Sequence, residues 1–139
     1  MFKNILVAVD GSEHGYKAAR TAGDLARCMQ ADLRVVSVYD PVPGYLGEPN
    51  LQDALSNRFG FAEQVLARAV EELGPIPGEL NTETLEGPVA EAILAVVDAR
   101  GIDLVVMGSR GLGRLAGLLL GSQSQKVVHH APCPVLLVR

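Results

Sequence analysis

Four short and mostly apolar runs occur along the chain, at residues 5–9, 33–39, 103–107 and 134–138. The first run is stopped at once by Asp10, Gly11 and Ser12. Apolar runs of this length between turn-forming residues are typical of strands that are buried on both faces of a sheet. Residues 81–86 instead alternate polar and apolar side chains, which indicates a fifth strand near a sheet edge.

Between these runs, apolar residues recur at the three- and four-residue spacing of amphipathic helices. The predicted helices cover residues 18–29, 59–73, 89–97 and 122–130, and residues 40–50 are predicted to form a loop. Ser12 is expected to cap the first helix, and Phe59 lies on the apolar face predicted for the second. Pro88 is expected in the first turn of the third helix, which Gly101 ends.

Strands and helices therefore alternate as β-α-β-α-β-α-β-loop-α-β. This alternation predicts an α/β fold, in which a parallel sheet carries helices on both faces. The pattern shows no internal repeat, linker or low-complexity segment. We therefore expect a single domain that covers residues 1–139.

The composition narrows the possible partners. The net charge of −4 and the pI of about 5.3 do not suggest a basic nucleic-acid-binding surface. The apolar runs are too short to span a bilayer and the amino terminus lacks a leader pattern, so we expect a soluble, cytoplasmic protein. Cys28 and Cys133 do not form a disulfide framework, and both are expected to be small buried side chains.

The stretch that carries most chemical information is rich in glycine and lies between the apolar run at residues 103–107 and the last predicted helix. Gly108 and Gly111 allow the backbone to approach a ligand closely. Gly121 and Ser122 precede a helix whose first amides point outward and attract anions, and the hydroxyls of Ser122 and Ser124 add donors. The stretch lacks the Gly-Lys-Ser/Thr ending of a Walker A loop, and the first strand is not followed by G-x-G-x-x-G.

The full spacing is glycine, two residues, glycine, nine residues and Gly-Ser. With it, the chain resembles the universal stress protein family, in the branch that binds ATP. The resemblance extends over the whole chain and is carried by residues 4–12, residues 103–111, Gly121 with Ser122, and residues 129–136.

The resemblance implies a strand order of 3-2-1-4-5, with a ligand at the carboxyl ends of the first and fourth strands, where the winding of the sheet reverses. It implies that adenosine lies against Ala8, Asp10, Met107 and the backbone of Val38. It places the phosphates among Gly108, Ser109, Gly111, Gly121, Ser122, Gln123 and Ser124. Mg²⁺ or Mn²⁺ is expected on the phosphates. A homodimer is expected through the last strand, residues 135–138, because an apolar edge strand invites pairing.

Several residues also have simpler interpretations. Asp10 and Ser12 could serve as turn and helix caps, and Arg110 and Arg114 could be solvated rather than phosphate-bound. His129 and His130 are interpreted as helix-end residues rather than metal ligands.

Three functions remain open at this point. The first is a nucleotide-binding regulator that acts as a dimeric switch for an unknown protein partner. The second is a slow ATPase, although the loop offers no clearly placed carboxylate or histidine base. The third is an interaction module with an empty crevice, which the complete glycine spacing argues against.

Overall fold

The computed structural model describes residues 1–110 and 121–139. Within these residues, strands and helices alternate in the predicted order: β1 (Asn4–Ala8), α1 (Glu13–Met29), β2 (Asp32–Tyr39), α2 (Asn50–Leu73), β3 (Leu80–Glu86), α3 (Val89–Arg100), β4 (Leu104–Gly108), α4 (Ser122–His130) and β5 (Val135–Val138). A short 3₁₀ turn at Gly44–Leu46 lies in the predicted loop after β2.

The five strands form one parallel sheet in the order β3-β2-β1-β4-β5. This confirms the predicted α/β class and strand order, including the edge position of β3. The central position of β1 explains why its apolar run is uninterrupted, since Ile5, Leu6 and Val7 are all 0% exposed. A strand with helices packed on both faces has no solvent side, so polar side chains have no place on it.

Each face of the sheet has its own core. Ile5 and Val7 of β1 pack with the alanine-rich face of α1 and with Leu66 of α2. Leu6 points to the opposite face, where Ile93 of α3 and Val127 of α4 lie in the second core. The alternation of side chains along one strand therefore connects both helical layers.

The helix ends agree closely with the caps expected from the sequence. The Ser12 side chain accepts a hydrogen bond from the Gly15 amide at the start of α1. Gly101 ends α3 in the left-handed conformation, with φ +62°, as predicted. Pro88 occupies the cap position just before α3 rather than its first turn.

Three further expectations were wrong in detail. Helix α2 begins at Asn50, well before the predicted residue 59. The prediction missed the first turns because they are mostly solvent-exposed and show no clear apolar stripe. Phe59 is 43% exposed rather than buried, and its ring packs edge-on against Tyr39. Cys28 is exposed on α1, although Cys133 is half-buried.

Across residues 1–110 and 121–139, no helix is both long enough and apolar enough to cross a membrane.

Candidate functional site

The site lies where β1 ends between its two neighbours. The ladder between β1 and β2 runs as far as Ala8 opposite Val36, and the Val9 amide donates to the Val36 carbonyl at 2.9 Å. The chain then turns away into α1, whereas β2 continues to Tyr39. Backbone groups of alternate residues in a strand point the same way, so the N–H and C=O of Val38 face the gap that β1 leaves.

A cleft of about 750 Å³ occupies this gap. Its size falls within the range of roughly 300–1,000 Å³ that is usual for small-molecule sites. Val38, Val89, Ile93 and Met107 supply apolar walls, and polar groups from β2, α2, α4 and the adjoining loops surround them. The cleft therefore combines an apolar interior with a few convergent polar groups, which is the usual composition of a ligand site.

Asp10 is held at the mouth of the cleft by the start of α1. Its Oδ1 accepts from the Ser12 amide at 3.0 Å and from the Ser12 hydroxyl at 2.6 Å. The same hydroxyl oxygen accepts from the Gly15 amide at 3.1 Å. Both simple interpretations of these residues are thus correct, since they cap the turn and the helix. The capping contacts also fix a carboxylate at the edge of the cleft.

The two ends of the glycine-rich stretch are joined by a set of hydrogen bonds that we call the loop neck. Its members are Gly108, Ser109, Gly121 and Ser124. The Gly121 amide donates to the Ser109 carbonyl at 2.9 Å, and the Ser124 hydroxyl donates to the Gly108 carbonyl at 3.1 Å. The Ser109 amide donates to the Val138 carbonyl of β5 at 2.8 Å. The neck thus brings the amino end of α4 next to the carboxyl end of β4.

Gln123 joins two helices at the far wall of the cleft. Its side-chain oxygen accepts from the Ala90 amide in the first turn of α3, at 3.1 Å. Helix α4 begins at Ser122, so the amides of Ser122, Gln123 and Ser124 are first-turn donors without intrahelical acceptors. The amino ends of α3 and α4 therefore converge on the same hollow.

Helix α2 contributes two polar residues, Asn57 and Arg58, that sequence reasoning did not identify. Asn57, Arg58 and Phe61 line the cleft on the side away from α3. The Arg58 guanidinium donates to the backbone carbonyls of Asp40 and Pro41, both at 2.8 Å, and so fastens the loop after β2. No local motif marks these residues, because their position depends on how α2 packs across the sheet.

Tyr39, the last residue of β2, also lines the cleft. Partial burial raises the pKa of Tyr39, and the neighbouring Glu86 carboxylate, 3.5 Å from its hydroxyl, adds to the effect. The phenol is therefore a neutral donor at ordinary pH.

The structure brings together most of the residues predicted for a nucleotide site. Nine of them line the cleft: Ala8, Asp10, Val38, Met107, Gly108, Gly121, Ser122, Gln123 and Ser124. Ser109 lies beside the cleft rather than in its lining, and its hydroxyl contacts Nδ1 of His14 at 3.3 Å. Gly111 and Arg114 lie outside the described residues, and Arg110 does line the cleft. Whether these residues contact a nucleotide stays a prediction.

The parallel sheet order and the cleft at its carboxyl edge define a doubly wound α/β protein with a ligand-sized hollow at the point where the winding reverses. The sequence profile of the universal stress protein family matches residues 1–139, and the chain belongs to that family.

Individual relatives agree with this assignment. A universal stress protein of Thermus aquaticus is 52% identical over 139 residues, which is 100% of both chains. Among solved structures, UspA from Lactobacillus plantarum superposes with a TM-score of 0.89 at 29% identity, covering 99% of this chain and 98% of its own. A universal stress protein solved in complex with cAMP gives a TM-score of 0.76 at 26% identity, covering 99% and 97%.

Proposed function

We propose that this chain binds an adenine nucleotide, ATP with Mg²⁺ or Mn²⁺, in the cleft at the carboxyl end of β1, between β2 and β4, and acts as a nucleotide-dependent regulator. One observation carries the proposal. A single hollow joins the backbone edge of Val38, the fixed carboxylate of Asp10 and the amino end of α4. A relative at 26% identity was solved with cAMP, an adenine nucleotide, which supports the same ligand class.

The base and sugar belong at the β2 side of the cleft. An adenine ring offers a donor and an acceptor on one edge, and the N–H and C=O of Val38 are the matching pair. Val89, Ile93 and Met107 provide apolar contact for the ring faces. Asp10, exposed at the end of β1, is placed to accept from ribose hydroxyls, as strand-end carboxylates do in related topologies.

The phosphates belong at the α4 side. First-turn amides at the start of a helix carry partial positive charge, and hydrogen bonds to a charged acceptor contribute roughly 1.5–3 kcal/mol each. Ser122 adds an exposed hydroxyl, and Arg110 adds a full positive charge. Gly111 completes the proposed phosphate loop on its sequence spacing alone. A divalent cation would be held mainly through phosphate oxygens, which is the usual mode for Mg²⁺.

The regulatory part of the proposal rests on the position of β5. This strand is the sheet edge next to β4, and Leu136 is 38% exposed on it. A second copy paired along residues 135–138 would cover the edge. Because the Val138 carbonyl accepts from the Ser109 amide, such a dimer interface would contact the loop neck directly. A change in the loop neck on nucleotide binding would then alter the dimer that a protein partner recognises.

The test is equilibrium dialysis of the chain with Mg-ATP, with adenosine measured in parallel. Ser122→Glu places a negative charge in the cleft lining at the amino end of α4. Its repulsion should weaken ATP binding by roughly tenfold or more while leaving adenosine binding nearly unchanged. Gln125→Glu is the matched control, since it makes a similar charge change at an exposed position of the same helix outside the cleft lining.

Absence of ATP binding by the wild-type chain would refute the proposal, and equal effects of both variants would refute the phosphate assignment. Phosphate release measured in the same samples separates binding from hydrolysis.

A further inference from the structure

His14 is the second residue of α1 and lies against the end of β4. Its Nδ1 is 3.3 Å from the Ser109 hydroxyl. The packing beneath this contact is close, because a Cβ on Gly108 would come within 2.8 Å of the His14 Cβ and 3.0 Å of the Gly15 nitrogen. The first turn of α1 therefore touches both residues that enter the glycine-rich stretch.

Ser109 is the residue through which this contact reaches the proposed phosphate site. Its amide is bound to β5 and its carbonyl to the Gly121 amide, so its backbone joins the last strand to the start of α4. Its hydroxyl is directed to α1 instead. Ser109 is only 5% exposed, so a hydroxyl that lost the imidazole would have little access to water in exchange.

His14 is not among the described residues that line the cleft. An effect of His14 on a ligand in the cleft would therefore pass through Ser109 rather than through direct contact. Removing the imidazole should leave the orientation of Ser109 less fixed. It should also weaken the hydrogen bond from the Gly121 amide to the Ser109 carbonyl, which positions the start of α4. The β2 side of the cleft shares none of these contacts.

We propose that His14 is a positioning residue for the loop neck, which sets the affinity for the phosphate part of the nucleotide and not for the nucleoside part. The inference rests on the proposed function, and it identifies a residue outside the cleft lining that affects nucleotide affinity at the same site.

The experiment measures ATP and adenosine binding to His14→Ala, His14→Asn and Ser109→Ala. Loss of one buried hydrogen bond predicts that His14→Ala weakens ATP binding roughly five- to tenfold, with adenosine binding unchanged. Asn carries a polar atom close to the place of Nδ1 and should restore much of the loss. Ser109→Ala should match His14→Ala, and the double variant should lose no more than either alone, since both remove the same contact.

His129→Ala is the matched control, because this histidine is exposed in the last turn of α4, at the end away from the cleft. A second readout needs no nucleotide. Hydrogen exchange at the Gly121 amide should be faster in His14→Ala than in the wild-type chain, and unchanged in His129→Ala.

The outcomes separate the two proposals. If the wild-type chain binds ATP but His14→Ala binds it equally well, the positioning role is wrong and the proposed function stands. Equal losses for ATP and adenosine would show a general structural role and also overturn the inference. If the wild-type chain binds neither ligand, the proposed function fails and this inference fails with it.

Discussion

Replacing Gly108 with alanine tests whether β4 needs this glycine for packing as well as for ligand approach. The added Cβ would lie 2.8 Å from the His14 Cβ, 2.9 Å from the His14 carbonyl carbon and 3.0 Å from the Gly15 nitrogen. Non-bonded carbons prefer about 3.5–4.0 Å, so α1 and β4 would have to separate by about 0.7 Å. Two of the three contacted atoms belong to the backbone, so a rotamer change cannot relieve the overlap.

Overpacking of this kind typically costs about 1–3 kcal/mol. For a chain of this length, each kcal/mol lowers Tm by about 4 °C, so Gly108→Ala should melt roughly 4–12 °C below the wild-type chain. The assay is thermal unfolding followed by circular dichroism. ATP affinity should fall as well, because the Gly108 carbonyl accepts from Ser124 in the loop neck.

Gly60→Ala is the matched control for this experiment. Gly60 lies within α2, and a Cβ there would meet nothing within 4 Å. Alanine in a helix interior is favoured over glycine by roughly 0.5–1 kcal/mol, so this variant should melt slightly above the wild-type chain. A Gly108→Ala protein that is as stable as Gly60→Ala would refute the packing argument.

Two further predictions follow from the surface. Sedimentation velocity at micromolar concentration should show that the wild-type chain is a dimer. Leu136→Lys, at the exposed β5 edge, should convert the dimer to a monomer. A monomeric wild-type chain would contradict the proposed interface. Iodoacetamide should alkylate exposed Cys28 before half-buried Cys133, because burial and then the Asp103 carboxylate raise the pKa of Cys133 and reduce its thiolate fraction. Raising the pH should speed modification of Cys133, and equal rates at neutral pH would count against this ranking.

The strands and their parallel α/β class were predictable from local patterns, whereas the strand order was expected only from the resemblance to the family. The uninterrupted apolar run of β1 requires burial on both faces, and the alternation of β3 fits its place at an edge. Once the sheet is parallel, the residues that follow each strand meet at one edge. Asp10 and Gly108 therefore line the same cleft, as the sequence led us to expect.

The side-chain partners within the site were not predictable in the same way. Ser109 was expected beside the phosphates and the Ser124 hydroxyl was expected to add a donor; in the structure their hydroxyls contact His14 and the Gly108 carbonyl. Such partners depend on the path of the chain on either side of the loop, which spacing does not specify. Arg58 lines the cleft because α2 packs across the sheet, and its guanidinium donates to the Asp40 carbonyl in the loop after β2. Neither contact follows from the local sequence.

The most direct test of the account is a titration of the ¹⁵N-labelled chain with Mg-ATP, followed by amide chemical shifts. The account predicts the largest changes at Val38 on the base side and at Ser122 and Gln123 on the phosphate side. Spectra that do not change at millimolar nucleotide, or changes centred on the far edge of the sheet at β3, would contradict it.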